Sequence, residues 1–359
     1  MVAAALRVEV PTRSGSVADV LIVDDSAVAR AVMARVIDSS ERFAVAGVAS
    51  HVAGALAFLA HKAVDYILLD INMPGVDGIT ALPDLLAASG QAKVLIVSTS
   101  ATDGAAAAIQ ALAFGAADTM EKPAARGLGA GFAQALIDKL ERLNEPRSVV
   151  SPPIGRTLSL PTLQPAVDAY DIVAIGASTG GIHALSQLLR ELPVSATLPI
   201  LVTQHLPSTF MPYFAAQLET IASRPCEVAT DRLRVRMGRV IVAPGDAHMR
   251  CVPLPDGGAC IRLSREPAAS GCTPSVDPML ASVAAVYGER ALGVVLSGMG
   301  RDGADGARLL RDAGGSVVAQ DQASSVVWGM PGAVAGNGAA EALLTPQAIG
   351  RLIAERRRL

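Results

Sequence analysis

Two parallel α/β units in series are the fold class that this sequence predicts: a flavodoxin-like, five-stranded N-terminal unit, and a doubly wound, mostly parallel C-terminal unit carrying a β-hairpin. Three observations predict it. Short runs of Val, Ile and Leu alternate with Ala-rich segments of helical periodicity, the pattern of buried strands covered by helices on both faces. Residues 18–144 and 170–359 each complete such a set. Between them, residues 145–169 hold Pro146, Pro152, Pro153, Pro161 and Pro165 without sustained periodicity, as a semi-extended linker would. Finally, 51% of the 359 residues are hydrophobic but only 3% aromatic, so the cores must be aliphatic, which suits parallel sheets.

In the first unit, "ADVLIVDD", "FAVAGVAS", "DYILLD", "KVLIVSTS" and "DTMEKP" read as the five strands, and "GFAQALIDKLERL" as the closing helix. In the second, "DIVAIGAS", "PILVTQHL", "RVIVAP", "ALGVVLSG" and "SVVAQD" read as strands, with helices such as "FMPYFAAQLETIAS" between them. "HMRCVPL" and "ACIRLS" flank Pro255-Asp256-Gly257-Gly258, a turn sequence that predicts an inserted hairpin. No internal repeat relates the units.

Composition excludes several classes. A net charge of -3 argues against a general nucleic-acid binder. Cys226, Cys251, Cys260 and Cys272 form no C-x-x-C pair or disulfide framework and read as free thiols of a reducing cytoplasm. Residues 1–17 have no basic head followed by an apolar block, so neither a signal peptide nor a membrane anchor is expected. Arg356, Arg357 and Arg358 read as a solvated helix end.

In the first unit, Asp24 and Asp25 end the first predicted strand and Asp70 ends the third. The carboxyl ends of parallel strands converge on one crevice. Three carboxylates there repel one another unless a cation neutralises them, and oxygen ligands suit Mg²⁺. With the charge neutralised, one carboxylate can act as nucleophile toward a phosphoryl group. Ser98 ends the fourth strand, where its hydroxyl meets an incoming phosphate, and Lys122 ends the fifth, where its ammonium pairs with it. His51 and His61 lie off the strand ends and read as structural or solvated.

"LIVDDSAVAR", "LLDINMPGVDG", "VLIVSTS" and "EKPA" resemble the response-regulator receiver domain across its whole length. The resemblance implies phosphorylation of Asp70. It also implies Mg²⁺ held by Asp24, Asp25, Asp70 and the backbone carbonyl of Asn72, and a phosphoryl switch read out by Ser98 and Lys122. Thr99, next to Ser98, is the alternative switch hydroxyl.

In the second unit, "GASTG", Gly176 to Gly180, has the G-x-S-x-G pattern of a nucleophile elbow between a strand and a helix. Dinucleotide binding is excluded: the glycine spacing is wrong, and the next strand ends in Gln204-His205 rather than an acid. Ser178 needs a base within hydrogen-bond reach. His183 lies in the following helix and His248 at the hairpin, whereas His205 ends the neighbouring strand and is the expected base. Asp302, in the turn of "LSGMGRDGADGARLL", is the expected acid, and Asp305 falls in the first turn of a helix. The N–H groups of Thr179 and Met299 (or Gly300) are candidates for an oxyanion hole.

The order Ser…His…Asp differs from that of the α/β-hydrolases, which are not implied. "IGASTGG", "TQHLP", "APGDAHM", "LSGMGRDGADG" and "WGMPG" are similar to the catalytic domain of chemotaxis protein-glutamate methylesterases, with Ser178, His205 and Asp302 matching its triad. The combination implies a phosphorylation-regulated hydrolase of glutamate methyl esters, and a glutamine deamidase, acting on methyl-accepting chemotaxis receptors. A chemotaxis histidine kinase is then the phosphodonor. No nucleic-acid partner, no membrane insertion and no cofactor in the catalytic domain are expected. Two other classes compete. A DNA-binding response regulator lacks its basic helix-turn-helix here, and a catalytically silent receptor-binding regulator would keep the fold without turnover.

Overall fold

Strands β1 (Ala18–Val23), β2 (Phe43–Ala49), β3 (Tyr66–Leu69), β4 (Lys93–Ser98) and β5 (Asp118–Glu121) form a parallel sheet of order β2-β1-β3-β4-β5. The computed structural model describes residues 17–98, 104–122, 130–144 and 170–355; the linker at 145–169, Thr99 and Arg356 to Arg358 lie outside the described residues. Helices α1 (Ala27–Asp38), α2 (Val52–Leu59), α3 (Gly78–Ser89), α4 (Gly104–Phe114) and α5 (Ala130–Asn144) flank the sheet. Side chains alternate across each strand. Val20, Ile22 and Leu68 therefore meet Met33 and Ile37 of α1 and Leu136 and Leu140 of α5. Leu21, Ile67 and Leu69 face the layer of α2, α3 and α4.

The second sheet is larger and also parallel. Its strands are β6 (Ile172–Ala177), β7 (Ile200–Gln204), β8 (Cys226–Val228), β9 (Val240–Val242), β12 (Ala291–Val295), β13 (Ser316–Gln320) and β14 (Ala342–Leu344), in the order β14-β13-β12-β6-β7-β9-β8. The expected hairpin is the antiparallel pair β10 (His248–Pro253) and β11 (Ala259–Ser264). Helices α6 (Gly181–Arg190), α7 (Met211–Ala222) and α11 (Pro346–Glu355) cover one face. Helices α8 (Val276–Tyr287), α9 (Ala304–Asp312) and α10 (Gly329–Gly336), with the hairpin, cover the other. Every residue of β6 is buried, because a central parallel strand has helices on both sides.

Strand order reverses direction between β12 and β6, and in open α/β sheets the crevice at such a switch point holds the ligand. The first unit docks beside that crevice. Helix α4 packs against α6 and α7 within one continuous apolar cluster that includes Leu112, Ile182 and Phe214. Two polar ties join the same surfaces: the Gly180 N–H donates to the Ala117 carbonyl at 3.2 Å, and His183 Nδ1 lies 3.0 Å from the Ala113 carbonyl. Among the described residues no helix is long and apolar enough to cross a membrane.

Candidate active site and phosphoacceptor crevice

Ser178 follows the last residue of β6, where the chain turns into α6. Its N–H donates to the Ser297 carbonyl at 3.0 Å, and its own carbonyl accepts from the Gly181 N–H at 2.8 Å and from Gln204 Nε2 at 2.9 Å. The elbow is built on missing side chains. Gly180 has φ +74°, and a Cβ there would lie 2.5 Å from Val326 Cβ. A Cβ on Gly298 would come within 2.9 Å of Ser178 Cβ.

Strand β7 delivers His205 to the same rim. Gln204 pairs with Ala177, and the His205 N–H donates to the Ala177 carbonyl at 3.1 Å, so the backbone register sets the imidazole beside the elbow. His205 Nε2 lies 2.7 Å from Asp302 Oδ2, and Asp302 is only 3% exposed. Asp302 also accepts from the Ser275 hydroxyl at 2.6 Å, the Val276 N–H at 2.7 Å and the Asp277 N–H at 3.3 Å, and so caps the start of α8. Burial alone would raise the pKa of Asp302. The bonds from His205, Ser275 and Val276 outweigh it and hold the carboxyl well below the usual carboxylate range. Asp277 goes the other way: burial, reinforced by the Asp302 charge, pushes it up to about 6.

Ser178, Thr179 and His205 line one cavity of about 810 Å³, whose opposite wall is the first unit, including Ser98, Ala117 and Met120. The structure places Ser178 and His205 on one rim and Asp302 against the imidazole, with one difference from the expected arrangement. No hydrogen bond joins the Ser178 hydroxyl to His205 among the described residues, and such bonds are often loose until substrate closes the site. Three of the other histidines have partners elsewhere. His183 sits at the docking surface, held neutral by burial. His248 is buried between the Ser275 N–H and the Glu266 carbonyl. His51 caps α2. Asp305 lies in the first turn of α9. The N–H groups of Thr179 and Met299 meet no acceptor among the described residues.

Sequence reasoning missed the Ser275–Asp277 segment that grips Asp302. Ser275 precedes α8 as an ordinary N-cap residue would, but its hydroxyl turns to Asp302 instead of its own helix. It also missed Cys272, whose sulfur lies within 4.8 Å of ligand atoms on His205 and Asp302.

In the first unit, Asp24, Asp25 and Asp70 bring carboxylate oxygens within 4.8 Å of one another. Lys122 Nζ lies 2.5 Å from Asp24 and 2.7 Å from Asp70. Asn72 donates its N–H to Asp70 at 3.1 Å and its side-chain amide to the Ser98 hydroxyl at 3.4 Å. Burial raises the pKa of Asp70 against the pull of Lys122. The crevice fits a hard cation on one specific ground: buried Asp24 Oδ2 is charge-paired with Lys122 yet meets no donor in hydrogen-bond geometry.

Residues 173–353 match the CheB methylesterase family, and residues 20–128 match the response regulator receiver domain. A protein-glutamate methylesterase/protein-glutamine glutaminase 2 of Caulobacter vibrioides is 42% identical over 344 residues, covering 94% of this chain and 99% of that one. A protein-glutamate methylesterase/protein-glutamine glutaminase 1 of Paramagnetospirillum magneticum is 37% identical over 90% of this chain and 92% of its own. Among solved structures, the Thermotoga maritima CheB methylesterase catalytic domain aligns with 98% of its length on 52% of this chain, at 34% identity and a TM-score of 0.50.

Proposed function

The chain belongs to the CheB methylesterase family and carries a response-regulator receiver domain, and from that premise we propose how its own residues carry out and control hydrolysis. The substrate is a γ-glutamyl methyl ester on a methyl-accepting chemotaxis receptor, or a glutamine amide at such a site. The reaction takes place in the cytoplasm. The observation that carries the assignment of residues is the 2.7 Å contact between His205 Nε2 and a buried, ionised Asp302, on the rim that also holds the Ser178 elbow.

With Nε2–H given to Asp302, Nδ1 of His205 is the free base. Ser178 Oγ attacks the ester carbonyl while Nδ1 takes its proton. The oxyanion is met by the Thr179 and Met299 N–H groups, at the positive end of α6. His205 then gives the proton to the departing methoxide oxygen, released as methanol as the ester C–O bond breaks, or to the amide nitrogen, released as ammonia, in the glutaminase reaction. A water deprotonated by His205 hydrolyses the acyl-enzyme to glutamate and free Ser178. Asp302 stays ionised throughout and steadies the imidazolium.

The receiver, residues 18–144, is joined by 145–169 to the hydrolase, residues 170–359. Asp70 is the phosphoacceptor for a histidine kinase, and Asp24, Asp25 and Asp70, with the Asn72 carbonyl, are the residues to hold Mg²⁺. The ion supplies neutralising charge for phosphoryl transfer. Lys122 pairs with the phosphoryl group and Ser98 hydrogen-bonds it. Unphosphorylated, the receiver stands as one wall of the catalytic cavity, and phosphorylation loosens that packing.

The test is reaction of the purified chain with a fluorophosphonate and with methylated receptor. Label on Ser178 and methanol release, both lost in His205→Ala, are expected. Labelling of another serine, or turnover by Ser178→Ala at a rate near that of wild type, refutes the assignment.

A further inference from the structure

We propose that His205, Cys272 and Asp302 form a binding site for a thiophilic divalent cation, Zn²⁺ above all, and that its occupation holds the hydrolase inactive. Binding rests on geometry alone, whereas inhibition rests also on the reading of His205 as the base. One ligand atom from each residue lies within 4.8 Å of the other two. Zinc bonds of about 2.3 Å to sulfur and about 2.0–2.2 Å to nitrogen and oxygen fit inside such a triangle, leaving the fourth tetrahedral position to water.

The donors differ in kind from those of the receiver crevice. There, three carboxylates present hard oxygens. Here, thiolate, imidazole and carboxylate together select a borderline-soft ion over Mg²⁺. The site has support around it. Asp302 is fixed by the Ser275 hydroxyl and the Val276 N–H, the kind of outer partners that orient a metal ligand. Cys272 is half-buried, and its sulfur makes only a weak contact to the Ser270 carbonyl at 3.8 Å, so it can swing to an ion without breaking a strong bond. One thiolate and one carboxylate match the charge of the cation. Cys226, Cys251 and Cys260 take no part in this cluster.

Binding involves no oxidation. The thiol proton of Cys272 goes to solvent as the sulfur coordinates. If Nε2 of His205 coordinates, its proton moves to Nδ1, which then donates and cannot accept the Ser178 proton. If Nδ1 coordinates, the base is occupied directly. Both arrangements stop the chemistry while leaving the fold and the receiver intact.

The experiment uses the full-length, reduced chain. Co²⁺ is added as a spectroscopic probe, and esterase activity is titrated with Zn²⁺ in wild type, Cys272→Ser and Cys226→Ser, each normalised to its own metal-free rate. The expected result is a thiolate-to-cobalt charge-transfer band in wild type and Cys226→Ser that is absent from Cys272→Ser. Loss of even an outer-shell partner costs roughly 10–100-fold in metal affinity. Loss of the sulfur ligand should therefore raise the half-inhibiting Zn²⁺ concentration at least about tenfold. A measurement free of variants accompanies it: Zn²⁺ should shield Cys272 from iodoacetamide in wild type, read by mass spectrometry. No cobalt band, no shielding, or the same inhibition in Cys272→Ser overturns the site. A band lost in Cys272→Ser, with activity untouched by Zn²⁺, upholds the cation site and overturns the assignment of His205 as base.

Discussion

One oxygen of the Asp302 carboxylate takes the His205 ring and the Val276 amide, and the other takes the Ser275 hydroxyl and the Asp277 amide. A group gripped on both sides can neither rotate nor protonate near neutral pH, which is what an orienting acid requires. Ser178→Ala is expected to lower kcat at least about a thousandfold with the fold retained, measured by methanol release and circular dichroism. Ser275→Ala removes a hydrogen bond to a charged group and should cost about 1.5–3 kcal/mol in denaturant unfolding. Asp277 supplies a pH signature. Its folded pKa of about 6 lies above the ordinary 3.8. The folded state therefore holds that proton longer, and ionisation costs stability progressively from 3.8 up to about 6 and fully above it. Asp277→Asn keeps an oxygen for the Gly306 N–H, which now sits 2.7 Å away. Its melting temperature should match that of wild type near about pH 4 and exceed it most above about pH 6. A constant difference across that range would show that Asp277 does not titrate there.

At the scale of elements, the elbow between β6 and α6 depends on two missing side chains. Gly180→Ala forces a methyl group toward Val326 at positive φ and should cost about 1–3 kcal/mol. Gly298→Ala presses on Ser178 Cβ and should lower kcat more than it changes KM. Thermal melts and steady-state kinetics separate the two effects. The elements around this elbow were legible in the sequence because β6, β7 and β12 are largely apolar runs that lead into Ser178, His205 and the Asp302 turn. Strands β8 and β14 were not. Each has three half-buried residues at a sheet edge, too few to show a period. The grip of Ser275 on Asp302 was equally hidden, because it joins residues 27 apart whose meeting depends on α8 packing beside the β12 turn. Chemistry carried on strand ends could be read directly, while chemistry that depends on how a helix is docked could not.

Over the whole molecule, the receiver and the hydrolase share apolar cluster and cavity alike. Turning a mostly closed molecule into a mostly open one requires a bias of about 5.5 kcal/mol. The His183 bond to the Ala113 carbonyl contributes a fraction of that. At about 1 kcal/mol for one hydrogen bond, His183→Ala should raise the unphosphorylated rate roughly fivefold and leave the phosphorylated rate unchanged. Rates with and without a small phosphodonor check this, and Asp70→Asn should remain at the unphosphorylated rate in both.

The tie from the Gly180 N–H to the Ala117 carbonyl runs from main chain to main chain, so trimming the buried side chain at position 117 does not remove it. It yields only when β5 itself slides, and β5 runs from Asp118 to Glu121, directly before Lys122. One short ribbon therefore has the ammonium that senses Asp70 at one end and a clasp on the nucleophile's helix at the other. A screen for alleles that are active without a phosphate signal should accordingly recover changes that unseat this ribbon, at Thr119 or Met120, and pass over Ala117→Gly.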